Sequence, residues 1–138
     1  MAGSIAANAQ TAVYFGDYKG FKSRFVVTCD NNGAANNLQV PYDLAGQFLY
    51  SVTCGNGATG PLDNSDLYIT EDSEAGADIL GGSGENQADN ATTNTFRPLV
   101  NNVAAAVPIY GNLFVKINNS NIASGVSVIT LRTVPRMP

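Results

Sequence analysis

The chain has no histidine and no tryptophan, and only 13% of its residues are charged. Each shortage closes off a class of function. Histidine is the commonest general base and the commonest metal ligand. Without it, Ser-His-Asp and Cys-His catalysis within one chain are excluded. Without tryptophan there is no indole platform on which a sugar ring could stack. No apolar run approaches the roughly 20 residues that a membrane-spanning helix requires. The opening MAGSIAANAQTAV has neither lysine nor arginine and no long apolar core, which makes it a poor secretory signal. A helical stripe of ten or more residues is missing as well.

What is present suits strands. The 138 residues fit one domain. A chain of that size buries roughly two-thirds of its unfolded surface without disulfide or metal staples. Apolar residues make up 44%, and Asn, Gly, Ser and Thr supply most of the remaining polarity, a mix that favours short strands and many turns. Strand signals lie at 11–16, 23–29, 46–54, 66–72, 112–118 and 125–133, with alternation at 23–29 and 66–72 and the longest apolar run of the first half at 46–54. Shorter pieces lie at 37–44, 77–80, 95–100 and 105–111, three of them interrupted by proline. The expectation is an all-β, single-domain antiparallel β-sandwich or jelly-roll-like barrel. Its body spans residues 12–133, preceded by an extended small-residue arm over 1–11 and followed by a tail over 134–138.

Cys29 shares strand parity with Phe25 and Val27, and Cys54 shares parity with Phe48, Tyr50 and Val52. Both read as small core residues carrying free thiols. Charge is unevenly placed. Between Phe25 and Phe96 there is no lysine or arginine, while the acids crowd that stretch. The seven bases lie toward the two ends. An acidic middle with basic ends argues against wholesale nucleic-acid binding and suits termini that meet something acidic.

Three segments invite sharper readings. GADILGGSGEN (76–86) begins like a phosphate-cradling loop. A phosphate loop needs converging backbone N–H groups at a helix N-terminus, often with a lysine. Here ENQADNATTN follows, with acids and poor helix formers, so the segment reads as an exposed turn. Asp63, Asp66, Glu71, Asp72, Glu74 and Asp78 supply hard oxygens, but their spacing lacks the glycine of an EF-hand loop, and they read as solvating acids. No pair among them carries a sign of glycosidase chemistry. VYFGDYKGFKSRF (13–25) interleaves aromatics with bases. Its first reading is a hairpin with core aromatics; its second is a docking segment built on Tyr18, Lys19, Phe21, Lys22 and Arg24.

PYDLAGQFLYSVTC, then DLYITEDSEAGADILGGSGENQADN, then the closing GNLFVKINNSNIASGVSVITL form a pattern of strands and turns over residues 40–133. That pattern resembles small structural proteins of tailed-bacteriophage virions, with the matching pieces at Asp72 through Gly84 and Gly111 through Leu131. The resemblance implies a capsid decoration (cement) protein on the virion surface, without catalytic residues, cofactor or metal. Its implied partners are the major capsid protein and further copies of itself, as a trimer or dimer, rather than nucleic acid or membrane. A module on a tail or fibre that recognises the host surface is the alternative.

Overall fold

The computed structural model describes residues 3–56, 65–73, 75–87, 93–118 and 125–135. Among them lie eleven strands and no helix. The strands are β1 (Ser4–Phe15), β2 (Tyr18–Thr28), β3 (Ala35–Gln39), β4 (Gln47–Asn56), β5 (Asp66–Glu71) and β6 (Asn94–Phe96), followed by β7 (Leu99–Val100), β8 (Val103–Ala104), β9 (Val107–Pro108), β10 (Leu113–Asn118) and β11 (Val126–Pro135). The larger sheet runs β1-β2-β11-β4-β6, with β9 added to β4; the smaller runs β3-β10-β5. Every pairing is antiparallel.

The two sheets enclose one core, and alternation explains which residues enter it. Phe25 and Val27 of β2, Ile129 and Leu131 of β11, and Val52 and Cys54 of β4 are fully buried. Phe25, Ile129 and Cys54 stand opposite one another across three neighbouring strands. Leu113, Val115 and Ile117 of β10 and Leu67 and Ile69 of β5 come from the smaller sheet and complete the same cluster. Each fully buried side chain of this size contributes about 1.5–3 kcal/mol. The all-β, antiparallel sandwich expected from alternation is the observed fold.

Several boundaries differ from the sequence expectation. Residues 4–11, expected as a free arm, are strand: β1 begins at Ser4 and pairs with β2 along its whole length. Ala-rich SIAANAQT has little intrinsic strand preference, so the partner strand imposes this conformation. The tail expected from residue 134 starts as strand too, since β11 continues to Pro135. ADIL forms turns instead of a strand. Between β7 and β8, Asn101 and Asn102 both take positive φ, 52° and 64°. They make a two-residue turn of the kind that matches strand twist.

Two irregularities re-aim side chains. The β1–β2 register slips between Ala7 and Ala9, leaving Asn8 as an extra residue. The Asn8 N–H donates to the Tyr42 hydroxyl at 3.1 Å, and that hydroxyl donates to the Arg24 carbonyl at 2.6 Å. In the β4–β11 ladder Arg132 faces Ser51 and Thr133 faces Leu49, which leaves Tyr50 unmatched and turned outward.

Candidate interaction surface

The glycine-rich segment resolves into a turn organised from within. One Asp78 carboxylate oxygen accepts the N–H groups of Ile69 and Leu80, each at 3.1 Å, and the other accepts Gly82 N–H at 3.1 Å. The amides that a phosphate would seek are therefore already occupied by a carboxylate. Gly81 and Gly84 are required by close approach: a Cβ at either would meet the carbonyl oxygen of Leu99 or Leu67. Gly81 also takes a φ of +63°, which favours glycine.

Two further acids of the middle segment are likewise engaged by backbone. Asp66 accepts the Asn86 N–H at 2.9 Å, and Glu71 accepts the Tyr110 N–H at 3.3 Å. Among the described residues no group of His, Cys, Asp or Glu is arranged to hold a metal. Asp63 and Glu74 lie outside the described residues.

Charge segregates between the sheets. The strands of the larger sheet carry Lys19, Lys22, Arg24 and Arg132 and no acidic residue. In the smaller sheet, β5 brings Asp66 and Glu71, β3 brings no charge, and β10 brings Lys116. Asp72, Asp78 and Glu85 follow β5. The strands of the larger sheet thus hold four bases and no acid, and those of the smaller sheet two acids and one base, while Asp17 lies in the β1–β2 turn between Phe15 and Tyr18.

At the β1–β2 hairpin end, the outer face of the basic sheet is also apolar. Val13, Phe15, Tyr18 and Tyr50 are 42%, 42%, 39% and 44% exposed. A groove of about 440 Å³ is lined by Val13, Phe15, Phe21, Lys22, Tyr50, Arg132, Thr133 and Val134. Phe15 lies over Gly20, where any Cβ would meet the Thr133 carbonyl and crowd the Phe15 ring. The Arg97 guanidinium stacks on the Tyr50 ring, 4.1 Å from its centroid, and its Nε–H donates to the Tyr50 carbonyl at 3.2 Å. Arg132 donates to the Thr53 hydroxyl at 2.8 Å, which in turn bonds to that of Thr95 at 3.0 Å. Rigid aromatics beside anchored guanidinium groups are the composition of energetic centres at protein interfaces.

The five residues singled out from sequence all lie on β2, but alternation divides them. Tyr18, Lys22 and Arg24 project from the outer face. Lys19 and Phe21 have the opposite parity, with the Lys19 ammonium 5.3 Å from the centre of the half-buried Phe21 ring, although Phe21 also reaches the groove. The outer cluster is completed by Tyr50, Arg97 and Arg132, which come from distant parts of the chain. Only the β4–β11 bulge brings Tyr50 out, and no local sequence pattern announces it.

Both cysteines are buried and free. Burial pushes the Cys29 thiol up to about 11, with the Asp30 charge adding to it. Burial alone takes Cys54 to about 12. Neither thiol is a nucleophile at neutral pH, because the thiolate is the reactive form. Compared with known proteins, the chain matches no family model, no curated protein and no solved structure.

Proposed function

We propose that this chain is a structural protein of a tailed-phage virion that works by binding, not by catalysis. It docks on the capsid exterior through the outer face of its larger sheet and stabilises the shell as a decoration protein. The observation that carries this reading is the exposed cluster of Val13, Phe15, Tyr18 and Tyr50 set among Lys22, Arg97 and Arg132, on a sheet whose strands hold no acid. An apolar centre with cationic neighbours fits a protein surface that is apolar at the contact and acidic around it. The strand-and-turn resemblance to phage structural proteins supplies the kind of partner. Apolar contact provides most of the affinity, and the charges set orientation and encounter rate.

Co-sedimentation with undecorated capsids tests the reading. Replacing both exposed rings, Tyr18→Ser with Tyr50→Ser, should leave the melting temperature nearly unchanged and weaken capsid binding by about tenfold or more, since anchor residues of this kind each contribute more than about 1 kcal/mol. A double variant that sediments with capsids as well as the wild type would overturn the docking face. A virion map with this fold only at the tail would move the protein to host recognition.

A further inference from the structure

Past the Asn8 bulge, the β1 edge of the larger sheet is unguarded among the described residues. β1 offers twelve residues, SIAANAQTAVYF, without a charge or a proline. Natural sheets blunt such edges with lysine, proline, short strands or covering loops, because an exposed strand edge is a template for another strand. The other edges follow that rule. β6 has three residues and β3 five. The β5 edge is covered, with Ile79 N–H bonded to Ile69 at 2.8 Å and Leu67 N–H bonded to Gly84 at 2.9 Å. β1 pairs with β2 alone among the described residues, and past the Asn8 bulge its register is continuous from Ala9 to Phe15.

We propose that the occupant of this edge is β1 of a second copy of the chain, paired antiparallel about a twofold axis at Ala12. The sequence is complementary to itself in that register. Ala9 stands opposite Phe15, Gln10 opposite Tyr14, Thr11 opposite Val13 and Ala12 opposite Ala12. On the outer face each aromatic meets a small residue, and Thr meets the similarly shaped Val. On the other face Gln10 meets the 69%-exposed Tyr14, a polar side chain against a phenol. No like charges oppose each other anywhere along the seam, which is the usual barrier to self-pairing.

The geometry has a consequence for docking. A twofold axis relating antiparallel strands in one continuous sheet stands perpendicular to that sheet. Both basic outer faces then point to the same side, with the two Phe15 clusters flanking the seam. If the shell-docking reading holds, on which only this consequence rests, the dimer presents two contact patches at once, and the linked second contact raises avidity without new chemistry.

The test uses purified full-length protein with no capsid present, so its outcome is separate from shell binding. Sedimentation equilibrium should give twice the 14.4 kDa chain mass. Ala12→Cys should form an interchain disulfide under mild oxidation, because opposed Cβ atoms lie about 4.5–5.5 Å apart. Gln10→Cys should not, because in this register residue 10 is distant from its own copy. The native thiols, both buried, do not compete. Monomer mass throughout the concentration range would overturn the proposal, and so would efficient crosslinking of Gln10→Cys with none at Ala12→Cys.

Discussion

Asp78 holds three backbone amides, on Ile69, Leu80 and Gly82, and so fixes the path of the chain from β5 into the glycine turn. Asp78→Ala should cost about 1–3 kcal/mol, the usual penalty when partly buried donors lose a charged acceptor; urea unfolding checks it. The sequence showed the glycines and the acid side by side, but one of the bonded amides sits nine residues back, on β5. No local pattern reveals such a partnership. The cysteines were more legible: Cys29 shares parity with the buried Phe25 and Val27, and Cys54 with Phe48 and the buried Val52, although Tyr50 of the same parity is turned outward by the bulge. Their chemistry gives a pH prediction. An unfolded thiol titrates near 9.0, whereas the folded ones titrate at about 11 and about 12. From pH 9 upward the unfolded chain therefore binds fewer protons than the folded one, and stability falls as pH rises through that window. Below pH 9 the contribution is intact. Replacing both cysteines with alanine should flatten part of this alkaline slope in thermal melts. At pH 8 the native protein should resist iodoacetamide, and the denatured, unreduced protein should take up two groups.

At the scale of elements, strong alternation was readable and pairing was not. LFVKIN and GVSVITLRT announced their inward faces, and Leu113, Val115, Ile117, Ile129 and Leu131 are all buried. Val115→Asp should cost several kcal/mol, because it buries an unpaired carboxylate; a variant that melts like the wild type would contradict the packing. The first half of β1 was unreadable because alanine, asparagine and glutamine carry no strand signal, and only β2 makes it a strand. β7 falls within the piece expected at 95–100, but β8 was missed for another reason: two residues are too few for periodicity, and the Asn101–Asn102 turn was the sole clue. Deleting residues 1–11 would therefore remove paired strand, including Ile5, which packs on the core. It should lower the melting temperature rather than release a dispensable arm.

For the whole molecule, the decisive feature is the division of charge between two sheets packed on one core. Segregation along the chain was visible in the sequence; its assignment to opposite faces needed the strand order, since β2 and β11 are adjacent although about a hundred residues separate them. In the proposed docking mode the division would orient the molecule on an acidic partner, with the exposed rings supplying the contact area. Raising salt should slow capture by capsids more than it weakens the final complex, because screening acts mainly on exposed charges at a distance. Stopped-flow association at two ionic strengths would show this. The most direct test of the account is a cryo-EM map of the virion carrying this protein. The account predicts the β-sandwich on the outer shell, with the Phe15, Tyr18 and Tyr50 face against the capsid and the Asp78 turn toward solvent. Density for the sandwich at the tail alone, or on the shell with the acidic sheet facing inward, would contradict it.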